Sequence, residues 1–176
     1  MVKKTINDIK GSSSTYLGKL WYRIVTRSTS TNYKKKHPCY ANVSLCSDWM
    51  TFSKFKEWAE KQDYKDKILD KDLLSTGDKI YSPDTCCFLP PHINQFITEN
   101  KSNKGEWPIG VSYKKDLCCW GASISNPFTK RVELIGLFYC PDKAHLAWRS
   151  RKREFANLLA DNISDEVIAR ALRNRY

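Results

Sequence analysis

Residues 110–160 read GVSYKKDLCCWGASISNPFTKRVELIGLFYCPDKAHLAWRSRKREFANLLA. Within and just before this stretch, residues 107–113, 118–125 and 131–139 are three runs of alternating character. The linking segments KKDL and NPFTK have turn composition. The spacing predicts three consecutive antiparallel strands. In the middle strand Trp120, Ala122 and Ile124 share one face, and Gly121, Ser123 and Ser125 share the other. From Asp142 the period becomes helical, with Ala144, Ala147, Phe155 and Leu158 on one face and Arg149, Arg151, Lys152 and Arg153 largely on the others. Ser164 is placed to cap a last helix, which carries Asp165 and Glu166 in its first turn and Arg170, Arg173 and Arg175 towards its end, as the helix dipole favours.

Working back towards the N-terminus, residues 1–14 are polar, with Gly11 followed by three serines, and read as a flexible arm extending to about residue 15. Leu17, Leu20, Trp21 and Ile24 recur at helical spacing over residues 16–26. The following residues 27–38 read as a loop, in which Lys34, Lys35 and Lys36 either lie along a phosphate backbone or form a solvated run. In residues 48–62, Trp49, Phe52, Phe55, Trp58 and Ala59 form one helical stripe, a core-packing pattern. A short strand over 68–74, a turn at 75–78, an extended piece at Ile80 and Tyr81, and a helix opened by Pro90-Pro91 and running over 92–99 complete the middle of the chain. The fold class is therefore α+β. The expected organisation is an arm over 1–15, a core over 16–104 and a sheet-and-helix domain over 105–176.

The 176 residues carry 30 Lys and Arg against 19 Asp and Glu, a formal charge of +11. Residues 1–60 hold 11 basic and 4 acidic residues, 61–106 hold 7 and 8, and 107–176 hold 12 and 7. Two basic ends flank a slightly acidic middle; the ends suit a polyanion through phosphate neutralisation and counterion release, and a local cluster of Asp side chains suits a divalent cation. No apolar run is long enough to cross a bilayer. Seven cysteines, including the adjacent pairs Cys86-Cys87 and Cys118-Cys119, are poorly arranged for intrachain disulfides, and residues 1–19 lack the apolar core of a signal peptide. A reducing, intracellular setting is expected.

Residues 69–94, LDKDLLSTGDKIYSPDTCCFLPPHIN, resemble the core of HNH-family nucleases of phages and mobile elements. The resemblance rests on Leu69, Asp70, Asp72, Gly77, Tyr81, Ser82, Pro83, Asp84 and Cys86, and upstream on Trp21, Cys46, Trp49, Phe52 and Phe55. It implies a small ββα-metal-like core around Mg²⁺ or another divalent cation, with metal-dependent hydrolysis of DNA phosphodiester bonds. By that resemblance Asp70, Lys71, Asp72 and Asp78 are the candidate catalytic residues, and Asp70 with His92 or Asn94 the candidate metal ligands. For a phage protein the location would be the host cytoplasm. Lys71 stands where the family places its histidine base, and a protonated lysine holds a phosphate but is a poor base. Cys39 and Cys46 with His37 could supply three zinc ligands, but there is no obvious fourth and no CxxC pair.

Residues 110–148 are similar to the plant ethylene-response-factor class of DNA-binding domain, through Gly110-Val111, the segment WGASISNP, Ile135-Gly136-Leu137-Phe138, Pro141-Asp142, Ala144 and Ala147. That resemblance implies a sheet entering the major groove of double-stranded DNA with a helix bracing its back. The candidate DNA contacts are Lys34, Lys35, Lys36, Tyr113, Lys114, Lys115, Trp120, Ser123, Ser125, Lys130, Arg131, Arg149, Arg151 and Lys152. Three functional readings follow: a DNA endonuclease, a catalytically silent DNA-binding regulator or inhibitor on a nuclease scaffold, and an RNA-binding protein.

Overall fold

The computed structural model describes residues 4–75, 77, 79–98 and 106–176. Asp78, with Thr76 of the expected turn and the Glu99 end of the expected helix, lies outside them. The chain is mixed α+β and divides into two compact units, residues 1–91 and 92–176.

In the first unit, α1 (Tyr16–Thr29) starts at Thr15, whose hydroxyl accepts from the Gly18 amide at 3.1 Å. It runs three residues past the expected end, with Ser28 and Thr29 hydroxyls donating back to the Ile24 and Val25 carbonyls at 2.7 and 2.8 Å. The predicted loop after it is largely α2 (Thr31–Lys36), capped by Ser30, so the lysine run lies on a short helix. Next come β1 (Ser44–Leu45), α3 (Phe52–Glu60), β2 (Ile68–Asp70), β3 (Ile80–Tyr81) and β4 (Cys87–Leu89). β1 pairs with β3 in parallel, and β2 with β4 antiparallel. The α1 face bearing Leu20, Trp21 and Ile24 and the α3 stripe bearing Phe52, Phe55 and Ala59 share one core with Trp49 and Phe88. The Trp21 indole N–H donates to the Trp49 carbonyl at 2.7 Å, satisfying a polar atom inside that core.

The N-terminal segment, read from sequence as a flexible arm, is docked. Ile6 donates its amide to Met50 at 2.8 Å and accepts from Phe52 at 3.0 Å, while Asp8 Oδ1 accepts from the Ser53 amide at 2.9 Å. Gly18 makes the approach possible, since a Cβ there would lie 1.9 Å from the Ser12 carbonyl oxygen.

The second unit takes in nearly all of α4 (Pro91–Ile97), because the Lys152 ammonium donates to the Phe96 carbonyl at 2.6 Å and Arg175 to the Ile97 carbonyl at 3.3 Å. The division between the units falls between Pro91 and His92. β5 (Val111–Lys114), β6 (Cys119–Ser125) and β7 (Val132–Phe138) form an antiparallel sheet in that order. α5 (Pro141–Ala160) packs on one face of the sheet, and α6 (Glu166–Arg173) follows. Asp165, not Ser164, caps α6, its carboxylate accepting from Val167 and Ile168 at 2.9 and 3.1 Å. The buried residues of α5 are Ala144, Trp148, Lys152, Phe155, Ala156, Leu159 and Ala160; Ala144 and Phe155 are buried as the period expects, whereas Ala147 is half-buried and Leu158 exposed. Among the described residues no helix is long and apolar enough to cross a membrane.

Gly110 enters the sheet at φ +82°, and a Cβ there would lie 2.0 Å from Trp148 Cδ1. Both the left-handed backbone and the lack of room demand glycine. Gly110→Ala is expected to destabilise the second unit by about 2–4 kcal/mol. Urea unfolding, localised by hydrogen exchange to residues 106–176, checks this; an unchanged midpoint contradicts it.

Candidate nucleic-acid interface

The register of the three-stranded sheet sorts its side chains into two faces. Tyr113 is paired with Trp120, Val111 with Ala122, Trp120 with Phe138 and Ile124 with Glu133, so these residues share the face on which α5 packs. Ala122 and Ile124 are buried there. At one end of the same face Trp107, Tyr113 and Trp120 form a ring cluster with centroids 5.1–6.4 Å apart. Tyr113 and Trp120, both expected on DNA, thus face away from Ser123 and Ser125. The buried Trp120 Nε1 has no hydrogen-bond partner among the described residues.

The opposite face is open. Ser125 is paired with Val132, Ser123 with Leu134, Gly121 with Leu137 and with Ser112 on its other side. Each row therefore sets a small residue of β6 beside an aliphatic side chain of β7. Val132, Leu134 and Leu137 are 71%, 60% and 48% exposed. Strict alternation along VELIGLF would put Leu137 on the other face. An irregularity opposite Ala122/Ser123 leaves Ile135 without a partner in the register and brings Leu137 into line with Val132 and Leu134. Sequence reasoning missed this aliphatic ridge; Gly136, beside the irregularity, is its only local signal.

Basic residues stand at both ends of β6. Lys114 pairs with Cys119 at its start and lies over Gly121, and Lys115 follows in the turn Lys115–Leu117. At its far end Lys130 and Arg131 are exposed on the β6–β7 turn. That turn is held by Asn126, whose side-chain oxygen accepts from Phe128 and Thr129 at 2.8 and 3.0 Å, and by Lys130 in a left-handed conformation, φ +61°. The Asn126 amide also donates to Glu133, which with Arg151 at 3.2 Å holds the Glu133 carboxyl below the usual range.

The helical cations divide. Arg149 is exposed, whereas Arg151 is engaged by Glu133 and Glu154 and lies 4.5 Å over the Phe155 ring. Lys152, a candidate contact by sequence, belongs to the buried face of α5, with its ammonium on the Phe96 carbonyl and 3.6 Å from the Phe96 ring centroid. In the first unit Lys35 and Lys36 are exposed, while Lys34 donates to the Val43 carbonyl at 2.7 Å.

The residues singled out between Leu69 and Asn94 are spread differently. Asp70 ends β2 opposite Cys87, and its Oδ1 accepts from the Asp72 and Leu73 amides at 2.9 and 2.8 Å, which ends the predicted strand early. Lys71 is buried, its ammonium paired with Asp72 and 5.9 Å from the Tyr81 ring centroid. The segment Ser82–Thr85 forms a turn in which the Thr85 hydroxyl donates to the Ile80 carbonyl at 2.7 Å and accepts from the Ser82 amide at 3.2 Å. His92 is exposed and Asn94 half-buried on α4, in the other unit from Asp70. Among the described residues no three His, Cys, Asp or Glu side chains are grouped to hold a metal, zinc included.

Burial pushes the Tyr81 hydroxyl up to about 12, with the Arg27 guanidinium beside it offsetting part of the effect, and pushes the Cys86 thiol up to about 12. A buried thiol with so high a pKa is a poor nucleophile at neutral pH. Cys39 and Cys118 are exposed, while Cys86, Cys87 and Cys119 are buried. Alkylation of the native protein at mildly alkaline pH, mapped by mass spectrometry, is expected to modify Cys39 and Cys118 first. Early labelling of Cys86 would contradict this packing.

Compared with protein-family models, curated proteins and solved structures, the chain gave no match in any of the three.

Proposed function

We propose that this protein binds double-stranded DNA through the open face of the β5–β6–β7 sheet. One observation carries the reading: a helix-backed sheet face of small and aliphatic side chains with exposed cations at both ends of its central strand. Seven residues of β6 span about 20 Å, while the major groove is about 12 Å wide. Lys114 and Lys115 at one end and Lys130 and Arg131 at the other therefore overhang both edges of a groove occupied by the face between them, within reach of the flanking phosphates. The excess of positive charge in the whole chain adds attraction that carries no sequence information.

Binding is favoured over hydrolysis by what Lys71 and Asp70 do. The residue in the base position is a lysine turned inward onto Asp72, and the neighbouring carboxylate oxygen caps a turn. The scaffold reads as a DNA-binding protein that does not need to cut. Incubation with supercoiled plasmid and Mg²⁺ or Mn²⁺ is expected to leave the plasmid intact. Chelator-sensitive relaxation, lost in Asp70→Asn, which keeps a capping oxygen, would establish the nuclease reading instead.

Duplex affinity is expected to fall steeply with salt. Lys130→Ala combined with Arg131→Ala should reduce the slope of log K against log salt by roughly two, about one per phosphate contact removed. Affinity indifferent to salt contradicts the proposal, and an RNA duplex that competes better than DNA would move the ligand to RNA.

A further inference from the structure

We infer that the open sheet face reads the 5-methyl groups of pyrimidines in the major groove, so that thymine-containing tracts are its preferred duplex. The inference rests on the duplex-binding reading above and adds the chemistry by which the face would tell one sequence from another.

The argument starts from the donors the face lacks. Bidentate recognition of guanine or adenine needs Arg, Lys, Asn or Gln reaching a base edge. On the open face the residues between the basic ends are Ser112, Gly121, Ser123 and Ser125 on β5 and β6, and Val132, Leu134 and Leu137 on β7. Lys114 is the one long cation, and it lies across Gly121 with its Cε 2.9 Å from where a Cβ would be. A serine hydroxyl both donates and accepts and so discriminates little between bases. What the face does present is a ridge of three branched aliphatic side chains, half to three-quarters exposed, beside a furrow of small residues.

An aliphatic ridge has one sequence-specific counterpart in the major groove, the thymine methyl, since the other base edges there present donors and acceptors. Removing a methyl and its aliphatic partner from water together is favourable, whereas setting the same side chains against a carbonyl or amino group desolvates the polar group without a partner. The ridge therefore favours bases that carry the methyl and disfavours those that do not. The basic residues at both ends of β6 supply the charge complementarity that commits the face to a nucleic acid.

The experiment compares full-length protein, by fluorescence anisotropy, on a thymine-containing duplex, on the same duplex with deoxyuridine for thymine, and on the deoxyuridine duplex with its cytosines 5-methylated. Deoxyuridine lacks only the methyl, and 5-methylcytosine presents one on the same ring carbon, at other base pairs of the same groove. The expected loss on the deoxyuridine duplex is about fourfold per methyl contacted, with partial recovery on methylated cytosine. Leu134→Ser, an exposed substitution whose melting temperature should match wild type, is expected to narrow the difference between the thymine and deoxyuridine duplexes by about fourfold, the share of one methyl contact. Equal wild-type affinity for thymine and deoxyuridine duplexes, with binding intact, overturns the inference and leaves DNA binding standing. No binding to any of the three overturns the reading beneath it. A wild-type dimer that Leu134→Ser converts to monomer also overturns the inference, since the ridge would then be covered by a second copy of the chain.

Discussion

Trp148 lies against Gly110 so closely that no side chain fits between them, and the geometry of the second unit follows from that contact. It brings α5 onto the start of β5, where His145 also bonds to the Ile109 carbonyl at 3.0 Å and stacks on Trp148. Small residues in the same helical column, Ala144 and Ala156, are fully buried, as is Ala122 on the sheet, so helix and strands approach without bulky spacers. One face of the sheet is thereby consumed by packing. The other is left to solvent, and the two faces acquire different chemistry from a single strand alternation.

Two lysines show how strongly packing overrides charge in setting where a cation points. A buried ammonium is costly unless it finds partners. Lys152 finds the Phe96 carbonyl together with the rings of Phe96, Trp148 and Tyr176, and in doing so ties α4 to α5. Lys71 finds Asp72 and the face of Tyr81, tying the turn after β2 to β3. Both belong by sequence to clusters that look suited to phosphate, yet their long apolar stems fit the core and carry the charge inward. The cations left facing solvent include those on turns and outer helix positions, such as Lys115, Lys130, Arg131 and Arg149.

The elements of the second unit were legible because their periods are clear: WGASIS alternates, NPFTK turns, and the helix after Pro141 repeats at 3.6. Three things were not. Part of the buried face of α5 was hidden, because Lys152 does not look buried and Leu158 and Leu159 look alike, although Ala144 and Phe155 are buried as the period expects. The position of Leu137 depends on an irregularity that only the pairing of β6 with β7 reveals. The docking of Ile6 beside Thr51 is a long-range pairing of a segment whose composition reads as a linker. Within residues 69–94 Asp70 stood out as a candidate for chemistry, but its carboxylate caps a turn, a role that local sequence signals equally well.

An exposed aliphatic edge strand is ordinarily a route to aggregation, and β7 is the edge of its sheet. Several features limit that route. Arg131 precedes the strand, Glu133 within it is engaged by Asn126 and Arg151, and the irregularity at Ile135 interrupts the flat row of pairing groups that another strand would need. The ridge can therefore stay apolar on its face while its edge resists being extended. A sheet so arranged is suited to a partner approaching the face of the strands, along which Val132, Leu134 and Leu137 stand in line, and poorly suited to one adding beside them.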